Sequence, residues 1–139
     1  MIKIMFFLTI FLVSCTSVYE EPEVNLTGVL KIASFMNESH DIGQSFNKLH
    51  PDLDMTIEVI PLDEGFYELW LMSILELGVI IPDVIFLHDD FLYEFIDTPF
   101  VRYSSYREMQ SGGVWMAISY QSQNPEAAYE FIRFAVNWP

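Results

Sequence analysis

Pro82-Asp83-Val84-Ile85-Phe86-Leu87 holds the clearest fold signal in the chain. Behind a proline and an aspartate, Val84 to Leu87 run apolar without interruption. A strand with one wet face alternates apolar and polar residues, whereas a strand covered on both faces does not. The run therefore reads as a central strand of a parallel sheet. His88-Asp89-Asp90 stands where that strand ends.

The flanking segments supply partners for it. Upstream, Asp63 is placed to cap a helix in which Leu71, Ile74 and Leu75 share one face. Glu64, Glu68 and Glu76 share another, a solvated one, and Gly78 suits the C-terminal turn. Before it, Met55, Ile57 and Val59 alternate with Thr56 and Glu58, which is strand spacing. Earlier still, Asp41 and Gln44 have the spacing of a capping box. Ile42, Phe46 and Leu49 follow on one helical face, and Pro51 ends the helix. Val29–Phe35, with only Lys31 charged, opens the series as a buried strand. Strand–helix–strand–helix–strand predicts an α/β domain with right-handed crossovers and a mainly parallel sheet flanked by helices.

Downstream, Thr98–Ser111 is polar and aromatic without a clear period, so 98–111 is expected to be an irregular junction. Gly112-Gly113 then precede Val114-Trp115-Met116-Ala117-Ile118, a further strand. Asn124-Pro125 is a helix start, with Asn as cap and Pro in the first turn. Ala128, Phe131, Ile132 and Ala135 make an apolar stripe behind it.

The beginning of the chain reads as an address. Lys3, an apolar run from Ile4 to Val13, and Ser14-Cys15 describe a secretory signal over residues 1–14. That run is far short of the roughly 20 residues needed to span a bilayer. Residues 15–27, with Glu20, Glu21, Pro22 and Glu23, lack apolar periodicity and read as an acidic tether. The remaining 28–139 is the folded lobe.

Composition excludes several functions. The chain of 139 residues is 52% hydrophobic and 16% aromatic, enough for one domain with a real core. Its net charge of −14 repels phosphate backbones, so no nucleic-acid partner is expected. One cysteine allows neither an intrachain disulfide nor a cysteine-based metal knuckle. His88-Asp89-Asp90 has no ligand-spaced partner in His40 or His50, so no metal site and no cofactor are expected. There is no phosphate-binding Gly loop and no Gly-x-Ser-x-Gly elbow, and no carboxylate pair stands out by spacing. The chain is not expected to be an enzyme.

Leu12-Val13-Ser14-Cys15 resembles the lipobox of bacterial lipoproteins, which implies removal of residues 1–14 and lipidation of Cys15. Four further segments resemble the extracellular solute-binding proteins of bacterial ABC transporters, the sugar-binding branch above all. They are Leu26–Phe35, Phe46-Asn47-Lys48-Leu49-His50-Pro51-Asp52, Pro82-Asp83-Val84-Ile85-Phe86, and Gly112 to Ile132 with its Ser122-Gln123-Asn124-Pro125-Glu126-Ala127-Ala128 core. The resemblance implies a periplasmic-binding-protein-like (type II) fold. It also implies carbohydrate or another small solute as ligand, ABC permease subunits as partners, and a position outside the cell membrane, anchored by lipid. Members of that family have two lobes that close on a ligand. Here Phe95 to Gly112 is too short to hold a second lobe, so a single lobe is expected, with the second missing and solute binding weak. The alternative is a short membrane-anchored lipoprotein serving as an interaction module without a small-molecule site.

In an open α/β sheet, ligands sit outside the carboxyl ends of the strands. That rule selects Asn37 after the first strand, Asp89 and Asp90 after the third, and Gly112, Gly113 and Trp115 on the late strand. Asn37 and Asp89 could accept hydroxyl protons of a sugar, Trp115 could stack on its apolar face, and the glycines could bring backbone amides close. Asp89 falls where the resemblance implies a ligand-contacting aspartate. Each has a structural alternative: Asp89 or Asp90 as helix caps, Trp115 as core, Gly112-Gly113 as a turn. Aromatic surface at Phe91, Tyr93, Phe95, Phe100 and Tyr103 is expected to lie uncovered and to promote self-association.

Overall fold

Val84–His88 forms strand β3, buried from Val84 through Leu87 and flanked by strands on both sides. The computed structural model describes residues 25–60, 65–78, 81–91, 101–109 and 112–139. In chain order these residues form β1 (Gly28–Ser34), α1 (Glu38–Leu49), β2 (Leu53–Val59), α2 (Phe66–Leu77), β3, β4 (Val101–Met109), β5 (Gly112–Ser119) and α3 (Pro125–Val136). The expected signal 1–14, Cys15, most of the tether, Asp63 and Glu64 lie outside the described residues; the N-cap of α2 is Gly65, in place of the expected Asp63.

One five-stranded sheet has the order β2-β1-β3-β5-β4. β1 runs parallel to both β2 and β3, while β5 is antiparallel to both β3 and β4. The fold is α/β as expected, but the sheet is mixed rather than mainly parallel. The reason lies in residues 101–109, expected to be irregular and found as a strand. Met109 pairs with Gly112, so β4 and β5 are joined too closely for a crossover and must be antiparallel. A register shift lies between Val101 and Tyr103, and Tyr103 to Met109 then pair with β5 without a break; Tyr103-Ser104-Ser105-Tyr106-Arg107-Glu108-Met109 itself carries no two-residue apolar period.

Helices cover both faces. α1 and α3 lie on one, enclosing Leu30, Ile32, Val84, Phe86, Met116 and Ile118. Phe46 of α1 meets Phe131 of α3 edge to face at 5.3 Å, a favoured aromatic geometry. α1 buries Ser39, Ile42, Gly43 and Phe46. A side chain at Gly43 would collide with Ile57 of β2, so the absence of a Cβ sets how closely α1 lies on the sheet. Leu49, expected on the buried face, is 63% exposed, and the His50 ring flanks Phe46 in its place at 4.5 Å. The cap of α1 is Asn37; Asp41 lies in the first turn instead.

α2 covers the other face with Tyr67 and Leu71 buried against Ile85, Leu87 and Ala117. It leaves Phe66, Leu69 and Leu77 more than half exposed. Among the described residues α2 thus carries a group of exposed apolar side chains, besides Leu49 and Tyr120 elsewhere, while Phe91 is half-buried against the second cluster. Tyr93, Phe95 and Phe100 lie outside the described residues. Gly78, at φ 63°, closes α2 in the left-handed conformation, its N–H donating to the Ile74 carbonyl.

β2 forms one edge of the sheet, its Asp54, Thr56 and Glu58 exposed.

Two polar groups set the geometry of the centre. The β1–β3 ladder pairs Ile32 with Val84 and Ala33 with Ile85. Just beyond, the Tyr67 hydroxyl reaches between the strands, 3.2 Å from the Ala33 carbonyl and 2.8 Å from that of Phe86. Burial pushes this phenol well above the usual tyrosine range, so it stays protonated and remains a donor. At the other end of β3, Asp83 is buried. Its carboxylate accepts from the amides of Lys31, Gln123 and Asn124 and from the Ser122 hydroxyl. Asn124 caps α3 through Ala127 N and donates to the Thr27 carbonyl at 2.9 Å, closing the circuit back to the start of β1.

Candidate functional site

β1 and β3 point the same way, and β5 begins where β3 ends, with Val114 opposite His88 and Trp115 opposite Leu87. One edge of the sheet therefore carries the carboxyl ends of β1 and β3 together with the first residues of β5. The sequence-predicted positions Asn37, Asp89, Asp90, Gly112, Gly113 and Trp115 all belong to it.

Within that edge, Asp89 and Trp115 meet directly. The indole Nε1 donates to Asp89 Oδ1 at 2.8 Å across 26 positions of chain. Trp115 is half-buried and packs against the second cluster. Asp89 is exposed, and it uses one oxygen on Trp115. Asp90 is also exposed and faces His88, whose Nδ1 lies 3.5 Å from the Asp90 carboxylate and 3.5 Å from the Asp90 amide. His88 in turn places its ring edge-on to Phe35 at 6.3 Å, which joins the β1 loop to the β3 end. Phe35 contacts Tyr67 at 5.4 Å in the same manner.

The β1 loop is braced from within. Ser34 and Ser39 are buried, their hydroxyls are hydrogen-bonded to each other, and Ser34 Oγ accepts from Met36 N at 3.0 Å. Asn37 is exposed and makes no side-chain cap bond, so its amide faces outward from the same edge. Gly113 is buried, and Gly112 opens the strand opposite Met109. The arrangement offers exposed carboxylates, an exposed amide and an indole held by one of those carboxylates. That set can hydrogen-bond hydroxyl groups and stack on an apolar ring face. Among the described residues no cluster of His, Cys, Asp and Glu could hold a metal.

Sequence reasoning places His88 at this edge beside Asp89 and Asp90 but gives it no role except as a metal ligand. It does not single out Tyr67, which bridges β1 and β3, and it reads Asp83, at the opposite end of β3, only as leading into the strand. Asp83 had a signal, since a lone aspartate entering an unbroken apolar strand must find donors when buried. Tyr67 had none, because its partners are backbone carbonyls distant in sequence.

Two larger hollows lie away from this edge. One of about 540 Å3 is bounded by Phe46, His50, Arg133, Phe134 and Trp138, and one of about 280 Å3 by Lys31, Thr56, Glu58, Trp70 and Ile74. Neither includes a sequence-predicted site residue. No helix among the described residues is long and apolar enough to cross a membrane. No family model, no curated protein and no solved structure matches the chain.

Proposed function

We propose that this chain is a lipid-anchored solute-binding lobe for carbohydrate, held outside the cell membrane through Cys15 and serving an ABC permease. The observation that carries the reading is the place of β5. It lies beside β3 in the same sheet and brings Trp115 to Asp89. That is where a late strand rejoining a first lobe would have to run. An all-helical chain, or a last strand in a separate sheet, would have removed the basis for the proposal.

The mechanism follows from exposure. Small-molecule sites generally bury 70–90% or more of the ligand surface. Residues 89–100 alone separate β3 from β4, too few for a facing lobe. A sugar at the Asp89–Trp115 edge keeps one face in water, so capture by this chain is weak. Isothermal calorimetry with a panel of oligosaccharides is expected to show no binding tighter than about millimolar, some 4 kcal/mol. Micromolar binding by the isolated chain would contradict the one-lobe account. Weak binding abolished by Trp115→Ala would support the site.

The exposed apolar side of α2 favours a second reading, an interaction module that binds another protein there. Substituting Leu69 and Leu77 by Lys separates the two, since only the module loses its partner.

A further inference from the structure

His88 Nδ1 stands at 3.5 Å from two groups that need opposite things of it. The Asp90 amide is a donor and needs a bare lone pair on that nitrogen. The Asp90 carboxylate is an acceptor and needs a proton there. One ring nitrogen cannot serve both at once. In the neutral ring with its proton on Nε2, Nδ1 accepts from the amide and caps the helical turn that starts at Asp89. In the charged ring, Nδ1–H turns to the carboxylate and the amide is released.

Asp89 links His88 to Asp90 in the chain, and its Oδ1 holds the Trp115 indole. We infer that His88 is a positioning residue whose protonation resets the turn at 88–90 and thereby the Asp89 bond that orients Trp115. The ring is well placed to transmit the change, because it is one-third exposed to take up a proton yet wedged against Phe35. Other groups face it too. Asp89 and Asp90 flank it on its own segment, and Tyr67 and Glu68 of α2 line the narrow space beside it with Leu71, Leu87 and Phe91. That space has no room for a water molecule, and Glu68 Oε2 is buried without a hydrogen-bond partner among the described residues. Phe35 and Trp115 add no charge. As a statement about solute capture the inference rests on the function proposed above; as a statement about geometry it does not.

The test is a ligand-free titration of the full chain followed by the indole N–H resonance of Trp115, assigned by its loss in Trp115→Phe. Across pH 5 to 8, the range in which histidine side chains gain and lose a proton, that resonance is expected to move along one sigmoid. In His88→Asn, whose Oδ1 takes the place of the imidazole Nδ1 and accepts from Asp90 N–H but does not titrate, the movement is expected to vanish. In Asp90→Asn, which removes the ion pair and keeps the amide, it is expected to fall by at least half. A resonance that stays put from pH 5 to 8, or one that still moves in His88→Asn, overturns the inference. Because no sugar is present, failure here leaves the carbohydrate reading intact, and failure of calorimetry leaves this one intact.

Discussion

Asp83 Oδ1 accepts from the Ser122 hydroxyl at 2.6 Å, joining two segments 39 positions apart. The carboxylate lies at the mouth of β3, and the hydroxyl lies in the turn that launches α3. The same carboxylate takes the amides of Gln123, Asn124 and Lys31, so one buried charge ties β1, β3 and the entry to α3 together. A buried carboxylate is tolerable only with such a set of donors.

Removing that charge strands its donors. Asp83→Ala is expected to destabilise the fold by about 3 kcal/mol or more, since each hydrogen bond to a charged group contributes about 1.5–3 kcal/mol. Asp83→Asn keeps the shape and loses less. Urea denaturation followed by far-ultraviolet circular dichroism checks both; an Asp83→Ala midpoint equal to the parent would show that the hub is not structural.

Tyr67 predicts an alkaline limit. Its folded-state phenol is raised above the unfolded value of about 10, with burial as the main cause. A raised group contributes stability that is fully present below the unfolded pKa and is lost as pH climbs past it. Stability is therefore expected to decline above about pH 10, and Tyr67→Phe is expected to flatten that decline. At neutral pH the same variant leaves the Ala33 and Phe86 carbonyls short of a donor and costs about 1–3 kcal/mol. Parallel denaturation curves at neutral and alkaline pH measure both effects. An unchanged alkaline slope in Tyr67→Phe would remove this explanation.

Much of this architecture is legible in the residues themselves. The apolar run at 84–87 declares a central strand, and the 3-4 stripe of Phe131, Ile132 and Ala135 behind Asn124-Pro125 declares a capped helix. Both signals are local and both were found. β4 is not legible, because its residues do not alternate apolar with polar and its pairing depends on β5. Leu49 misled because helical phase alone cannot tell that His50 would occupy the space beside Phe46. At the candidate site, the rule of strand ends points to positions that the fold gathers on one edge, where Asp89 and Trp115 are hydrogen-bonded. What it could not reveal was the two-way contact of His88, which depends on distances of a few ångströms between neighbours.

Asn124 carries a double duty that can be separated. Its Oδ1 caps α3, and its Nδ2 binds the Thr27 and Val29 carbonyls. Asn124→Ala loses both and is expected to cost more than the ~1 kcal/mol typical of a cap. Asn124→Asp keeps the cap acceptor but faces two carbonyls with a carboxylate, and is expected to rescue only part of the loss. Thermal denaturation of the two variants decides; full rescue by Asp would make the Nδ2 bonds irrelevant.

The bare side of α2 predicts concentration-dependent association. Phe66, Leu69 and Leu77 are exposed on one helix. Leu69→Lys together with Leu77→Lys is expected to shift sedimentation toward a single monomeric species while leaving the denaturation midpoint nearly unchanged, as surface substitutions usually do. Equal sedimentation of parent and variant would place the sticky surface elsewhere.

The acidic outer positions of β2 limit what such clusters can become. Extension of the sheet across that border would set the Asp54 and Glu58 carboxylates of one copy beside those of another, and like charges opposed across strands repel. Copies that adhere through α2 therefore meet charge repulsion if they add strand to strand at β2.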